Sequence, residues 1–450
     1  MPVDGPPPPS TAYLDHVVDE TEERRRLALA AQAAEPGPGD DGGAPAALRA
    51  TVESAVASLG ADLTRIVRTL HANPETAFEE HESARLLVDV LAQHGVEAEL
   101  GVHGADTAFR AVLGSGDGPT IAICAEYDAL PVIGHACGHN VIAAAGVGAF
   151  LALQPVLAGE GAPSGRVVLL GTPAEEGHSG KEVMARAGAF DDVDAAIMVH
   201  PYGVDVADQV WLGRRLLTWT FTGRAAHASA QPFMGRNALD AANVAYQGIG
   251  LLRQQMPPSD RVHATIVEGG TRPSIITERA VMHLYARSKY PDTLRDLSRR
   301  LDDVARGAAL ITGTEVQIDW DDGAHPSLPV RTNQALTRRW VAAQEARGRD
   351  VLPGGVVSET LAASTDFGNV SFRVPGIHPL IQVADPSVAL HTEAFAAAAG
   401  GPGAERAAVD GAAGLAQTAL DYLCDAGLRA AVDAEFAAAG GPIDVPAYFD

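Results

Sequence analysis

Cysteine is nearly absent: Cys124, Cys137 and Cys424 are the only three in 450 residues. Three scattered thiols cannot build a disulfide framework, which excludes a stapled secreted fold and suits a reducing, cytoplasmic setting. Positive charge is also short, with 33 Lys plus Arg against 57 Asp plus Glu and a net charge of −24. A chain that acidic repels phosphate backbones and anionic lipid, so neither nucleic acid nor a membrane is an expected partner. Long apolar runs are missing as well. The longest, Val141 to Leu153, stops at Gln154-Pro155, short of the roughly 18 residues that a bilayer helix needs. The opening MPVDGPPPPS has neither the basic nor the apolar stretch of a secretory signal. What remains is a globular cytoplasmic enzyme or binding protein, 46% hydrophobic and 20% charged, long enough for two or three domains.

The chain divides by composition. Residues 1–45 read as a flexible Pro/Gly-rich tail with at most one helix, over Thr11 to Ala34. Two amphipathic helices follow, one ending at Asn73-Pro74 and one closed by Gly95. Short apolar runs come next: Thr120–Cys124, Arg166–Leu170, Ala195–Val199 and, much later, Pro379–Val383. Helical stretches separate them, the pattern of a mostly parallel α/β sheet covered on both faces. Between 214 and 325 the pattern becomes β-α-β-β-α-β, the signature of a ferredoxin-like α+β unit. The expected organisation is therefore a first catalytic part at 46–213, an inserted unit at 214–325, and a second catalytic part with a C-terminal tail at 326–450. The active site is expected in the cleft between the two units.

Reactive side chains gather just after the apolar strands. AEYDALPVIGHACGHN supplies Glu126, Asp128, His135, Cys137, His139 and Asn140; GTPAEEGHSG supplies Glu175, Glu176 and His178; then come His200 and His391. In an open α/β sheet, ligands bind beyond the carboxyl ends of the strands. Taken singly, a cysteine among Ala and Gly is a buried small hydrophobe, a lone histidine is structural, and a Glu pair is a solvated surface feature. Their recurrence at one sheet edge favours a metal site. Cys137, His139, Glu176, His200 and His391 offer thiolate, imidazole and carboxylate, the ligand types of zinc, with manganese or cobalt as alternatives. Five ligands exceed one closed tetrahedral site and suit two divalent ions with a bridging ligand. Glu175 is left over as a general base. Metal-assisted hydrolysis is the chemistry expected.

The stretches EYDALPVIGHACGHN, GTPAEEG, MVHP, GRAAHASAQPFMGRNALDAA, RQQM, STDFGNVSFRVPGIHP and HTEAF follow one another between residues 71 and 400. In these the chain resembles the dinuclear-metal amidohydrolases of metallopeptidase family M-twenty, most of all the aminoacylase-like branch with Xaa-Arg dipeptidase types. The resemblance implies a catalytic domain with an inserted ferredoxin-like lid that forms a homodimer. It implies Cys137, His139, Glu176, His200 and His391 as metal ligands, with Cys137 as the bridge, Glu175 as the base, and Asp128 behind a ligating histidine. It further implies that His227 stabilises the oxyanion from across the dimer interface, that Asn237 shapes the site, and that Arg287 grips the substrate carboxylate. The substrates expected on this ground are dipeptides or N-acyl amino acids, with p-aminobenzoyl-glutamate-like amides as the alternative.

Two departures from the family pattern stand out. Arg272-Pro273-Ser274-Ile275-Ile276-Thr277 replaces a run that carries an Asn in relatives, and His178 occupies a position that is commonly acidic or Gly. Two other classes compete: a non-catalytic small-molecule binder on the same fold, and an enzyme using Cys137 as a nucleophile or redox centre. The second lacks a resolving Cys in C-x-x-C spacing and leaves the Glu pair unexplained.

Overall fold

The computed structural model describes residues 10–34, 42–159 and 161–449. Of the expected tail, 1–9 and 35–41 lie outside the described residues. The helix within it runs from Ala12 to Ala34. The chain is anchored earlier than the expected boundary at 45: the amides of Gly43 and Ala44 donate to Asp425 (2.9 Å) and Asp421 (2.8 Å).

Twelve strands are formed among the described residues: β1 (Ala98–Leu100), β2 (Phe109–Ser115), β3 (Thr120–Ala125), β4 (Gly165–Gly171), β5 (Ala195–Ile197), β6 (His200–Tyr202), β7 (Gly213–Thr222), β8 (Arg261–Glu268), β9 (Arg279–Ser288), β10 (Glu315–Trp320), β11 (Gly376–Ile377) and β12 (Leu380–Gln382). The larger sheet has the order β1-β2-β4-β3-β5-β11. Its β4, β3, β5 and β11 are mutually parallel, and β1 and β2 are antiparallel additions at one edge. Buried on both faces, β3 is apolar throughout except for Thr120.

The expected strand at Pro379–Val383 needs correction. Its core, β12, pairs with β6 in a separate two-stranded ladder, and the edge place in the main sheet belongs to β11. Pro379, at the junction of the two ladders, has no N–H to give, and its carbonyl accepts the His200 N–H at 2.9 Å.

Helix His139–Leu157 runs along this sheet and packs against helices Ala46–Ala72 and Pro402–Cys424. It is apolar and long enough to cross a bilayer, yet 89% of its apolar window is buried inside the protein. Gly146 permits the close fit, because a Cβ there would stand 2.9 Å from Cβ of Ala125.

Strands β7 to β10 form a second sheet, all antiparallel, in the order β10-β7-β9-β8. Helices Ala238–Leu252 and Pro291–Thr312 cover one face, with Leu217, Trp219, Phe221, Met282 and Leu284 in a core of their own. The two chain crossings are paired: Arg214 and Ser327 exchange backbone hydrogen bonds of 2.7 and 2.8 Å. Trp219 is fully buried, so Trp219→Ala should cost about 3–5 kcal/mol, read as a lower denaturant midpoint for the inserted unit.

Candidate metal centre

The residues after β3 are drawn inward: Glu126, Tyr127 and Asp128 are completely buried. The loop then reaches Cys137 and Gly138, whose φ of +82° suits glycine, while any Cβ there would also meet the Pro201 ring at 2.9 Å. The helix begins at once with His139. Asn140 pins this helix start by donating to the carbonyls of Val67 (3.1 Å) and Ala399 (2.9 Å). After β4, Ala174 takes φ +59° and donates its N–H to the buried Glu80 (2.9 Å), turning Glu175 and Glu176 toward Cys137 and His139. Burial, then the Asp128 charge, pushes the Glu80 carboxyl up to about 7. His391 holds φ +60°, with its N–H on the Ala136 carbonyl at 2.9 Å.

These segments converge. The donor atoms of Cys137, His139 and His200 lie within 4.8 Å of one another, as do those of Cys137, Glu176 and His391, and those of His139, Glu175 and Glu176. Cys137 belongs to both of the first two groups. Its Sγ is 3.5 Å from Nε2 of His200, and Nε2 of His391 is 3.4 Å from Oε1 of Glu176. Nε2 of His139 and Oε1 of Glu176 are buried without a hydrogen-bond partner. Such orphaned donor atoms are expensive unless something binds them, and a soft thiolate with imidazoles and carboxylates fits a divalent transition metal. The His391 side chain is 52% exposed, which leaves one side of the second group open, as a catalytic site requires.

Hydrogen bonds fix which nitrogens face inward. Nδ1–H of His139 donates to Oδ1 of Asp128 (3.0 Å), and the other oxygen of Asp128 accepts the Glu176 N–H at 2.9 Å. Nδ1–H of His200 donates to the Pro201 carbonyl at 2.8 Å. Each bond leaves Nε2 as the ring atom that faces the other donors. Burial, reinforced by His139, pushes the His200 imidazolium down to about 3, so the ring is neutral and available as a ligand. Burial, then the Glu176 and Glu126 charges, raises the Glu175 carboxyl well above the usual range. Burial raises the Cys137 thiol too, with Glu176 adding to it. A cysteine nucleophile needs the opposite.

The remaining expected residues lie apart from this cluster. His227 is exposed, and its Nδ1 accepts from the amides of Ser229 (3.3 Å) and Ala230 (3.2 Å), so the ring proton sits on Nε2. Asn237 caps a helix, its Oδ1 accepting from the Leu239 amide at 3.1 Å. Arg287 is half-buried on β9 with its guanidinium 4.9 Å from the Tyr285 ring centroid. His178 is exposed and meets Phe78 edge-on at 5.7 Å.

Sequence reasoning missed a buried ion cluster behind His139. Lys181, fully buried, donates to Glu126 and to Asp366 (2.7 Å), and Oε2 of Glu126 lies 3.4 Å from Nε2 of His139. Lys181 and Asp366 are far apart in sequence and neither sits in a ligand-like spacing. His378 was also missed; it lies behind His200 at 5.6 Å and packs on Trp211 at 4.5 Å.

Comparison with known proteins agrees with this geometry. The model for the peptidase family M20/M25/M40 matches residues 122–409. The chain belongs to this family. It is accordingly a metal-dependent hydrolase of amide or peptide bonds. Among its relatives, mouse Xaa-Arg dipeptidase is 38% identical over 395 residues, covering 86% of this chain and 90% of the relative. A p-aminobenzoyl-glutamate hydrolase chain of Escherichia coli K12 is 30% identical over 436 residues, covering 81% and 90%. The M20 fold is shared with the Bacillus subtilis YXEP protein, described as a dinuclear metal binding peptidase. That match has a TM-score of 0.62 at 21% identity and covers 81% of this chain and 99% of that one.

Asp128→Ala removes the support of His139 and of the Glu176 backbone together. Metal affinity should fall about 10–100-fold, measured by competition with a chromogenic chelator. Lys181→Met strands two buried carboxylates and should cost about 3–5 kcal/mol of folding stability, read by chemical denaturation.

Proposed function

We propose that this M20 hydrolase holds two divalent ions, zinc in the first instance, with Cys137 shared between them. His139 and His200 complete one ligand group; Glu176 and His391 complete the other. The observation that carries this reading is the membership of Cys137 in both donor groups, with Glu175 left beside them as an acid that neither group needs. Five carboxylates (Glu126, Asp128, Glu175, Glu176, Asp366) surround the centre, and among the described residues Lys181 is the buried lysine or arginine that pairs with them, through Glu126 and Asp366. That excess of negative charge favours two cations over one.

Bound divalent ions polarise a carbonyl and acidify water from about 16 toward about 7. Glu175 then accepts the proton of the attacking water and returns it to the leaving amine. Glu175 is 9% exposed and shares a donor group with His139 and Glu176, which puts its carboxylate beside the ions it would serve. His227, with its proton on Nε2, is a donor suited to an oxyanion. His227 is exposed and outside its own chain's donor groups, which agrees with service in the site of a second copy. Edge strand β8 exposes Ile266 and Val267, and the adjoining helix exposes Tyr246 and Leu251, an apolar edge suited to a homodimer formed through the inserted lid. Arg287 is the fork for the free carboxylate of the substrate's leaving half.

The substrates are small dipeptides or N-acyl amino acids. Two kinds of leaving half are open: a basic residue, as in the name of the mouse relative, or glutamate, as in that of the Escherichia coli relative. Glu175→Gln should retain its metal, by elemental analysis, while kcat falls about 10²–10⁴-fold; near-normal turnover would refute the proton-carrier role. Mixed dimers of His227→Ala and Glu175→Gln chains should recover part of the activity, because one of their two sites has both groups intact. No recovery in verified heterodimers would count against the exchange.

A further inference from the structure

The inserted sheet has two unlike faces. One is the core face, with Leu217, Met282, Leu284 and Ala286 against the helices. Neighbouring residues on a strand point to opposite sides, so Arg214, Tyr285 and Arg287 belong to the open face. At the hinge end of that face three arginines stand abreast. Arg214 on β7, Arg287 on β9 and Arg261 on β8 are direct cross-strand partners. Adjacent strands are only about 4.8 Å apart, and like charges opposite one another destabilise a sheet.

No carboxylate pairs with any of the three among the described residues. Arg214 donates to the Gly177 carbonyl (3.4 Å) and to the hydroxyls of Ser179 (3.1 Å) and Ser327 (3.5 Å). Arg261 donates to the Ser259 carbonyl at 2.6 Å, and Arg287 lies over Tyr285. Asp321, whose field reaches Arg214, is bound by Arg215 at 2.7 and 2.9 Å. Burial, together with the Arg214 and Arg261 charges, holds the Arg287 guanidinium below its ordinary range, a shift that a bound anion would reverse. The bonds from Arg214 to Gly177 and Ser179 place this row directly beside the turn that carries Glu175 and Glu176.

We propose that Arg287, Arg261 and Arg214 form a seat for two carboxylates, so that the preferred leaving half is glutamate or aspartate rather than a residue with a basic side chain. The inference rests on the hydrolase reading and on the role of Arg287 within it. One carboxylate, the α-carboxylate, engages Arg287. The other engages Arg261, and the more deeply buried Arg214 adds its charge to both. A single carboxylate would leave two of the three cations unmatched, and a basic side chain would enter a field of its own sign, which discriminates by repulsion.

Calorimetric titration of zinc-loaded protein with free glutamate, glutamine and arginine tests this without requiring turnover. Glutamate should bind at least about tenfold tighter than glutamine or arginine. Arg261→Met should bring glutamate and glutamine to within about threefold, and Arg261→Lys, which keeps the charge, should retain more of the preference. Arginine binding as tightly as glutamate to the wild type would overturn the seat, and so would an unchanged ratio in Arg261→Met. The wild-type comparison decides even if a variant fails to fold. Turnover of a panel of dipeptides and N-acyl amino acids with acidic, neutral and basic leaving halves reads the hydrolase reading separately: no turnover of any of them beside an intact glutamate preference would count against that reading and leave the anion seat standing.

Discussion

The centre depends on one carboxylate that is outside both ligand groups. Asp128 is wholly buried and spends one oxygen on the His139 ring and the other on the Glu176 backbone. Those two residues come from different loops, after β3 and after β4, and meet in one donor group together with Glu175. A single side chain therefore sets the spacing between the two halves of the site. Its charge is sustained inside the protein because both oxygens are hydrogen-bonded and His139 stands beside it.

Around that fixed point the backbone is bent in ways that side chains ordinarily resist. Ala174, Ser179 and His391 all take positive φ without being glycine. Such positions cost of order 1–3 kcal/mol each and persist only where the surroundings over-determine them. Here they bracket the Glu175–Glu176 turn and carry the most exposed of the five histidine, cysteine and glutamate donors. Stability given up at these points is recovered in the core, where helix His139–Leu157 is enclosed by two long helices and the sheet.

Much of this architecture was legible in the amino-acid sequence. Thr120–Cys124 and Arg166–Leu170 are continuous apolar runs because strands covered on both faces need no polar side. The alternation in Leu216–Thr222 reflects one covered and one open face. The five donors were legible because each follows an apolar run or a glycine-rich turn. Less was legible where long-range packing decides. The chain gives no local sign that Lys181 and Asp366 meet behind His139, since a buried ion cluster has no period and no spacing rule. The break at Pro379 was hidden because an apolar run reads the same whether or not it remains in one ladder. Asn237 stands before a helix as an ordinary cap, and its local pattern cannot distinguish that duty from one at a binding site.

The paired crossing at Arg214 and Ser327 makes the inserted unit modular. Both ends of a long excursion of chain lie side by side on one ladder step, so the outer sheet meets it as it would meet a hairpin. Its own core of Trp219, Phe221 and the two covering helices borrows little from its host. A unit with adjacent ends and a separate core can be enlarged, exchanged or shed during descent while the loops that carry the five candidate donors keep their places. Change in this unit can therefore proceed without disturbing the core on which the donor cluster is built.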